Sequence, residues 1–474
     1  MRIKSIKITL LIILLIGGKS FAQQRLSLEE CRELAIQNNK EIQIATQQER
    51  VAYYNKKEAL SKFFPEISFA GTYIHNQKNL NLISSSAIPS SIPMPDLSGL
   101  GIPLPPTLPP AGTPIDISDT RQKILDMGKI EIRNLWAGGF SLTQPIFMGG
   151  QIVAYNDLRG YAQELAETMK DTKLTEVIVE IDNTYWQVVS LANKKKLAES
   201  YVNLLRKMDS DISAMEREGV ATKADRLTVS VKLNEAEMTL TKAANGVSLS
   251  KMLLCQLCGI EIGDNIVLAD EDIQSLDVEQ DTNVLPDVNE ALTSREEIKS
   301  LELATKIYEK QEKIAMAGFM PNVAFTANYI WTNPNLFDGF EKKFDGMWNV
   351  GVVAKVPLNF WSTSSKYKSA KAETVIKRLE LADAREKITL EVNQSAYKLT
   401  EAHKKLTAAE KNVEKADENL RYANIGFEEG VIPTSDALSA HTAWISAHAE
   451  LIDAQIDVKL SRIYLNKALG RKIQ

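Results

Sequence analysis

The 474-residue sequence is poor in the residues that carry chemistry. Three cysteines and four histidines are too few for a disulfide scaffold or a two-pair zinc site. Cys255 and Cys258 do form a C-x-x-C, but within KMLLCQLCGI, an apolar helical end where small core-facing side chains are expected. His441 and His448 are seven residues apart, whereas helical metal pairs prefer i, i+4. No G-x-S-x-G or H-E-x-x-H occurs, and Gly18-Lys19-Ser20 lacks the first glycine of a phosphate-binding loop. No enzyme, no cofactor and no metal site are expected. Beyond residue 22 no apolar run approaches the ~20 residues of a spanning helix. Positive charge is scarce too. The formal net charge is −5, which argues against a nucleic-acid partner.

What is present begins with an address. Arg2, Lys4 and Lys7 precede an apolar run from Ile8 to Ile16, then small residues and Ser20-Phe21-Ala22. That order predicts a removed signal peptide over 1–22. Its loss takes Arg2, Lys4, Lys7 and Lys19 with it and shifts the charge to about −9.

The remainder is written twice. SKFFPEISFAGTYIHN (61–76) matches MAGFMPNVAFTANYIWTN (316–333), and FSLTQPIFMGGQIVAYN (140–156) matches VVAKVPLNFWSTSSKYK (352–368). EREGVATKADRL (216–227) matches FEEGVIPTSDAL (427–438) in the same way, and the halves close at Gly259 and Gly470. Two repeats follow, over 23–260 and 287–474, each reading helix, strand, strand, very long helix, tip, return helix. An acidic linker at 261–286 separates them. The first repeat carries an insert at 77–132 with nine of the sixteen prolines, a composition that predicts a solvated, partly polyproline-like loop.

Four segments, 66–74, 134–143, 322–331 and 348–356, alternate apolar and small or polar residues. Their lengths suit the ~9–11 residues of a tilted membrane strand. Phe69, Tyr73, Trp136, Phe140, Tyr329, Trp331 and Trp348 supply the aromatics of a lipid-facing girdle, several of them near strand ends. A soluble sandwich shows the same alternation. If the strands enter a membrane, four cannot close, so copies must share a barrel. Two copies give a filled eight-stranded one and three give twelve strands with room for a channel.

From Gly150 to Glu218 and from Ser362 to Glu429 no proline occurs and glycine nearly vanishes. The second helix repeats every seven residues, with Leu399, Leu406, Val413, Leu420 and Phe427 on one row and Ala402, Ala409, Ala416 and Ala423 on another. The first runs through Leu174, Ile181 and Val188, slips phase after Lys194-Lys195-Lys196, and resumes at Tyr201, Met208 and Met215. Each would span ~100 Å. Shorter helices near 27–62 and 222–258 would together match one long helix end to end. The tips at 217–224 and 429–435 then join helices, Gly430 as a C-cap and Pro433 just inside the next helix.

LSLEECRELAIQNNKEIQIA, the duplicated unit, both G-V-x-x-x-x-D tips and the closing LNKALG together resemble the TolC-like outer-membrane efflux protein family over the whole mature sequence. The resemblance implies a mostly α fold with a membrane β-barrel: a homotrimer whose twelve strands form the barrel in a Gram-negative outer membrane, continued by a long periplasmic α-helical barrel. It implies an exit duct for a tripartite efflux or secretion system. The partners would be a periplasmic adaptor (membrane-fusion) protein, an inner-membrane pump of RND or ABC type, and outer-membrane lipid. Gly219, Val220, Asp225, Gly430 and Val431 match the adaptor-docking tips. Asp436 matches the gate aspartate, and Ser439 stands where relatives with a double ring carry a second one. At both aspartates, helix capping is the competing role. The alternative from another class is a barrel-anchored coiled coil with a structural or adhesive role in the cell envelope.

Overall fold

The computed structural model describes residues 25–96, 108–263, 265–272 and 286–471. The expected signal peptide lies outside them, as do parts of the 77–132 insert and of the 261–286 linker. In chain order the elements are β1 (Arg25–Leu26), α1 (Leu28–Asn38), α2 (Lys40–Ser61), β2 (Glu66–His75), β3 (Leu80–Asn81), β4 (Ser91–Pro93), β5 (Pro114–Asp116), α3 (Ser118–Met127), β6 (Lys129–Ile130) and β7 (Asn134–Met148). They continue with α4 (Gln151–Arg217), α5 (Lys223–Cys258), β8 (Val267–Leu268), α6 (Val288–Ser294), α7 (Glu296–Ala317), β9 (Asn322–Asn333), β10 (Asp345–Lys355), α8 (Phe360–Glu428) and α9 (Thr434–Ala468). Two helices, two long strands, one very long helix and one return helix therefore recur in the same order.

The chain divides into two compact units. One comprises residues up to Lys56, Asp157–Lys310 and those from Ala370 onward; the other comprises Lys57–Asn156 and Gln311–Ser369.

The first unit is helical, and its core follows the heptad rows. Ala402, Ala409, Ala416 and Ala423 are all buried, while on the larger row Leu399 and Leu406 are buried and Val413, Leu420 and Phe427 half-buried. Small residues on one row let a neighbouring helix approach closely. Leu399, Leu406 and Val392 of α8 pack with Ala454, Val458 and Leu465 of α9 and Ile298 of α7. A second cluster joins Val177, Ile181, Tyr185 and Val188 of α4 to Cys31 of α1, Leu254 and Cys258 of α5 and Ile456 of α9. Each Val, Leu or Ile among them contributes about 1.5–3 kcal/mol by leaving water. Within that core Arg32 holds the fully buried Asp182 through two bonds of 2.7 Å. Burial pushes the Asp182 carboxyl upward, and the Arg32 guanidinium pulls the other way.

Both repeats turn the same corner. The sequence predicts one helix near 27–62, but it breaks at Asn39, whose backbone becomes extended while its N–H still bonds the Ala35 carbonyl. The Asn39 side-chain oxygen accepts from the Glu41 N–H at 2.8 Å, capping α2, and its amide donates to the Leu257 carbonyl at 2.8 Å. In the second repeat Arg295 holds that place and reaches the Lys467 and Ala468 carbonyls at 3.3 Å. Each return helix then stops on a left-handed glycine, Gly259 (φ 67°) and Gly470 (φ 72°). A Cβ there would stand 2.6 Å from the Asn38 backbone and 2.9 Å from that of Ser294. Only glycine lets the helix end touch the corner.

The described part of the linker is docked rather than loose. Val267 and Leu268 of β8 pair in parallel with Arg25 and Leu26. Tyr185 donates to Asp270 at 2.6 Å, and Lys251 donates to the Ile266 carbonyl at 2.7 Å. The described part of the proline-rich insert likewise holds more structure than its composition predicts. α3 forms there, and Arg121 of α3 donates to the carbonyls of Ile88 and Ser85 at 2.8 and 2.6 Å.

Candidate functional site

The second unit contains one four-stranded antiparallel sheet in the order β2-β7-β9-β10. β7 runs past the expected residue 143 to Met148, through a register shift between Pro145 and Phe147. Pro145 lies beyond the end of β2, whose last pair is Glu66 with Thr143, so it removes no bond to that neighbour.

The register puts every expected apolar set on one face. Phe69, Phe140, Tyr329 and Trp348 stand opposite one another in a single row across all four strands. The next row on that face holds Gly71, Gly138, Trp331 and Gly346, and the row after it holds Tyr73 and Trp136. Phe69 and Phe140 lie 5.7 and 5.9 Å from Trp331 between ring centres, and Tyr73 lies 4.5 Å from Trp136. The rings thus cover a floor of glycines. All except Trp331 are exposed. The other face is small and polar in its middle rows, with Ile74, Leu135, Ile330, Met347 and Val353 apart from them: Ser68, Ser141, Asn328 and Asn349 form one row, in which Ser141 donates to Asn328 at 2.8 Å and Asn328 to Asn349 at 2.9 Å.

The seven aromatics therefore gather toward one end of the sheet, not at both. The opposite end carries a set that sequence reading missed: Phe147, Leu358, Phe360 and Trp361, the last 85% exposed. Phe147 pairs with Val323 on the apolar face. The bulge at Pro145 breaks strict alternation and hid it, and Leu358, Phe360 and Trp361 follow β10 with no period at all.

The tips are built by hydrogen bonding. At the first, Gly219 adopts φ 78° and Val220 N–H returns to the Met215 carbonyl at 2.9 Å. Thr222 caps α5 with Asp225: the Thr222 N–H donates to the Asp225 carboxylate at 3.0 Å and the Asp225 N–H to the Thr222 hydroxyl at 3.2 Å. The Thr222 hydroxyl, donating to the same carboxylate at 2.6 Å, and then the Thr222 N–H hold the Asp225 carboxyl below its ordinary range. At the second tip, Gly430 adopts φ 70° and Val431 N–H bonds the Gly426 carbonyl at 2.8 Å. Pro433 is itself the N-cap of α9 rather than its first residue, and it supplies no side-chain cap. Among the described residues the Asp436 carboxylate accepts from the Ser435 hydroxyl, at 3.2 Å, and from no capping N–H. Ser439 is exposed, its hydroxyl turned onto the Ser435 carbonyl at 2.9 Å. Val220 and Val431 are 72% and 77% exposed.

Above the second tip, Trp444 Nε1 donates to Asp417 Oδ1 at 2.5 Å, and His448 Nε2 lies 3.0 Å from the same oxygen. His448 thus faces α8, whereas His441 is buried elsewhere on α9. Among the described residues no helix is long and apolar enough to cross a membrane.

Residues 288–471 match the family model described as outer membrane efflux protein. Over these residues the chain is similar to outer membrane efflux proteins. The match covers the second repeat, and the first repeats the same elements in the same order. Solved structures with the fold include the CmeC outer membrane channel of Campylobacter jejuni, with a TM-score of 0.74 at 13% identity over 96% of this chain and 90% of that one. VceC of Vibrio cholerae gives 0.70 at 15% identity over 94% and 96%. The MtrE outer membrane channel of Neisseria gonorrhoeae gives 0.68 at 15% over 94% and 89%. No curated protein sequence matches the chain. At these identities the likeness shows the fold, and the two-faced sheet is the element of that fold suited to lipid.

Proposed function

We propose that this chain is an outer-membrane efflux protein, three copies of which pool their sheets into one twelve-stranded outer-membrane barrel, continued by a periplasmic helical barrel, as the exit duct of a tripartite efflux or secretion system. One observation carries the reading: an antiparallel sheet, apolar on one face across every strand, with no outer partner on β2 or β10 among the described residues. Strands of 10 and 11 residues with unpaired N–H and C=O groups are untenable in hydrocarbon, so the edges must meet other edges. Four antiparallel strands leave β2 and β10 running in opposite directions. Identical copies arranged in a ring therefore join β10 to β2 with the antiparallel order kept. Eight strands fill their own interior, while twelve leave a passage lined by Ser68, Ser141, Asn328 and Asn349.

The tips supply the partner surface. Gly219, Val220, Gly430 and Val431 present bare backbone and aliphatic carbon to an adaptor protein, which couples the duct to an inner-membrane pump. Asp225 serves the local cap. Asp436, free of any cap, supplies the ring of negative charge at the entrance, and Ser439 leaves that ring single. No step requires chemistry on the cargo.

Purified protein in planar bilayers tests this. A steady pore that Asp436→Ala makes less cation-preferring supports the duct. Silence of both wild type and Asp436→Ala, with trimers demonstrably inserted, overturns it.

A further inference from the structure

All three cysteines are free thiols buried in the helical unit. Two of them meet. The Cys258 thiol of α5 donates to the Cys31 carbonyl of α1 at 3.6 Å, and both residues are fully buried in the same cluster. Next to this contact Gly259 sits against the Asn38 backbone, so the two helices approach as closely as the chain allows. Cys255 is turned away, its thiol on the Gly263 carbonyl at 3.4 Å. We infer that Cys31 and Cys258 are oxidised to a disulfide in the mature protein, pinning the first helix to the end of the return helix and closing residues 31–258 into a covalent ring.

The second repeat shows that the corner needs no sulfur. Counted back from Arg295, the place of Cys31 falls on Asp287, the N-cap of α6, because α6 has 7 residues where α1 has 11. The place of Cys258 is held by Leu469, buried in an apolar cluster. The extra turn of α1, with a cysteine facing a cysteine, is thus particular to the first repeat. An outer-membrane protein crosses the periplasm, where disulfides form and persist.

The chemistry is thiol–disulfide exchange with an oxidising protein disulfide. Before the core closes either thiol can attack first and the balance is the same; take Cys258. Its thiolate attacks the oxidant's disulfide to give a mixed disulfide, and one oxidant sulfur leaves as a thiolate. Cys31, deprotonated, then displaces the second. The pair loses two protons and two electrons, and the oxidant departs as a dithiol. Because both sulfurs are buried in the folded protein, pairing precedes closure of the core and is shielded afterwards.

The test is thiol counting by mass spectrometry on protein taken from the outer membranes of cells with intact disulfide-forming machinery, acid-quenched, denatured and alkylated. Expected without reduction are one alkylated thiol, at Cys255, and a peptide joining Cys31 to Cys258; after reduction, three alkylated thiols. Cys31→Ala and Cys258→Ala should each show two alkylated thiols unreduced. Reduction should lower the melting temperature of the wild type and leave that of Cys31→Ala unmoved. Three alkylated thiols in unreduced wild type, or a peptide joining Cys255 to Cys258, would overturn the assignment.

Discussion

Gly138 lies directly opposite Trp331 across β7 and β9, and a Cβ added there would stand 2.8 Å from the indole ring. The indole occupies the space that a side chain at 138 would need. This close approach sets how the aromatic face is laid down, since Phe69, Phe140 and Tyr329 all pack against the same indole.

Gly138→Val should therefore lift Trp331 off the sheet. The expected cost is about 1–3 kcal/mol, the usual range for overpacking. Gly71→Val is the comparison, since its nearest neighbour, the Phe69 ring, is 3.6 Å away in ordinary contact. Urea midpoints in detergent should rank wild type, Gly71→Val, Gly138→Val in falling order. Equal midpoints for the two variants would show that the indole does not depend on the glycine.

The corner glycines differ from the tip glycines in what surrounds them. Gly259 and Gly430 both adopt positive φ, but only Gly259 faces backbone; nothing lies within 4 Å of a Cβ at Gly430. Gly430→Ala should cost about 1–2 kcal/mol, from left-handed strain alone. Gly259→Ala should cost a further ~1–3 kcal/mol, because the Asn38 backbone must move. Thermal unfolding followed at 222 nm reads both.

Asp417 offers a pH dependence of known sign. Its bond to His448, assisted by Trp444, holds its carboxyl below the ordinary 3.8. A carboxyl depressed by folding stabilises above its unfolded value and loses that contribution as pH falls through the folded one. Asp417→Asn should therefore melt earlier than wild type at neutral pH, and the gap should close as pH drops below 3.8. A gap that stays constant to low pH would mean that the hydrogen bonds to the Asp417 carboxylate contribute nothing.

The duplicated organisation, the four strands and the heptad rows were legible because each rests on a period that one sequence displays: two for a half-buried strand, seven for a helix seam. What periodicity does not encode was missed. The break at Asn39 depends on one side chain capping α2 while also meeting the Leu257 carbonyl, a contact 218 residues away. The glycine floor under Trp331 depends on register between strands, which a linear reading does not supply. At the tips, G-V-x-x-x-x-D marks two equivalent aspartates, yet Thr222 ties down Asp225 whereas Pro433, in the matching place, leaves Asp436 uncapped.

That difference predicts opposite outcomes for one substitution. Asp225→Ala should fray the start of α5 and lower the melting temperature, with little effect on ion preference. Asp436→Ala should leave melting unchanged and shift the reversal potential toward weaker cation preference. Melting curves and bilayer recordings on the same two preparations separate them, and a shared phenotype would contradict the division of roles.

The central claim is that one copy cannot close its own sheet, and the direct test is the copy number of the protein extracted from membranes. Native mass spectrometry in detergent should find three times the mass of one mature chain, with engineered cysteines on β2 and β10 cross-linking between chains and never within one. A monomer that persists in the bilayer, or a β2–β10 cross-link confined to a single chain, would contradict it.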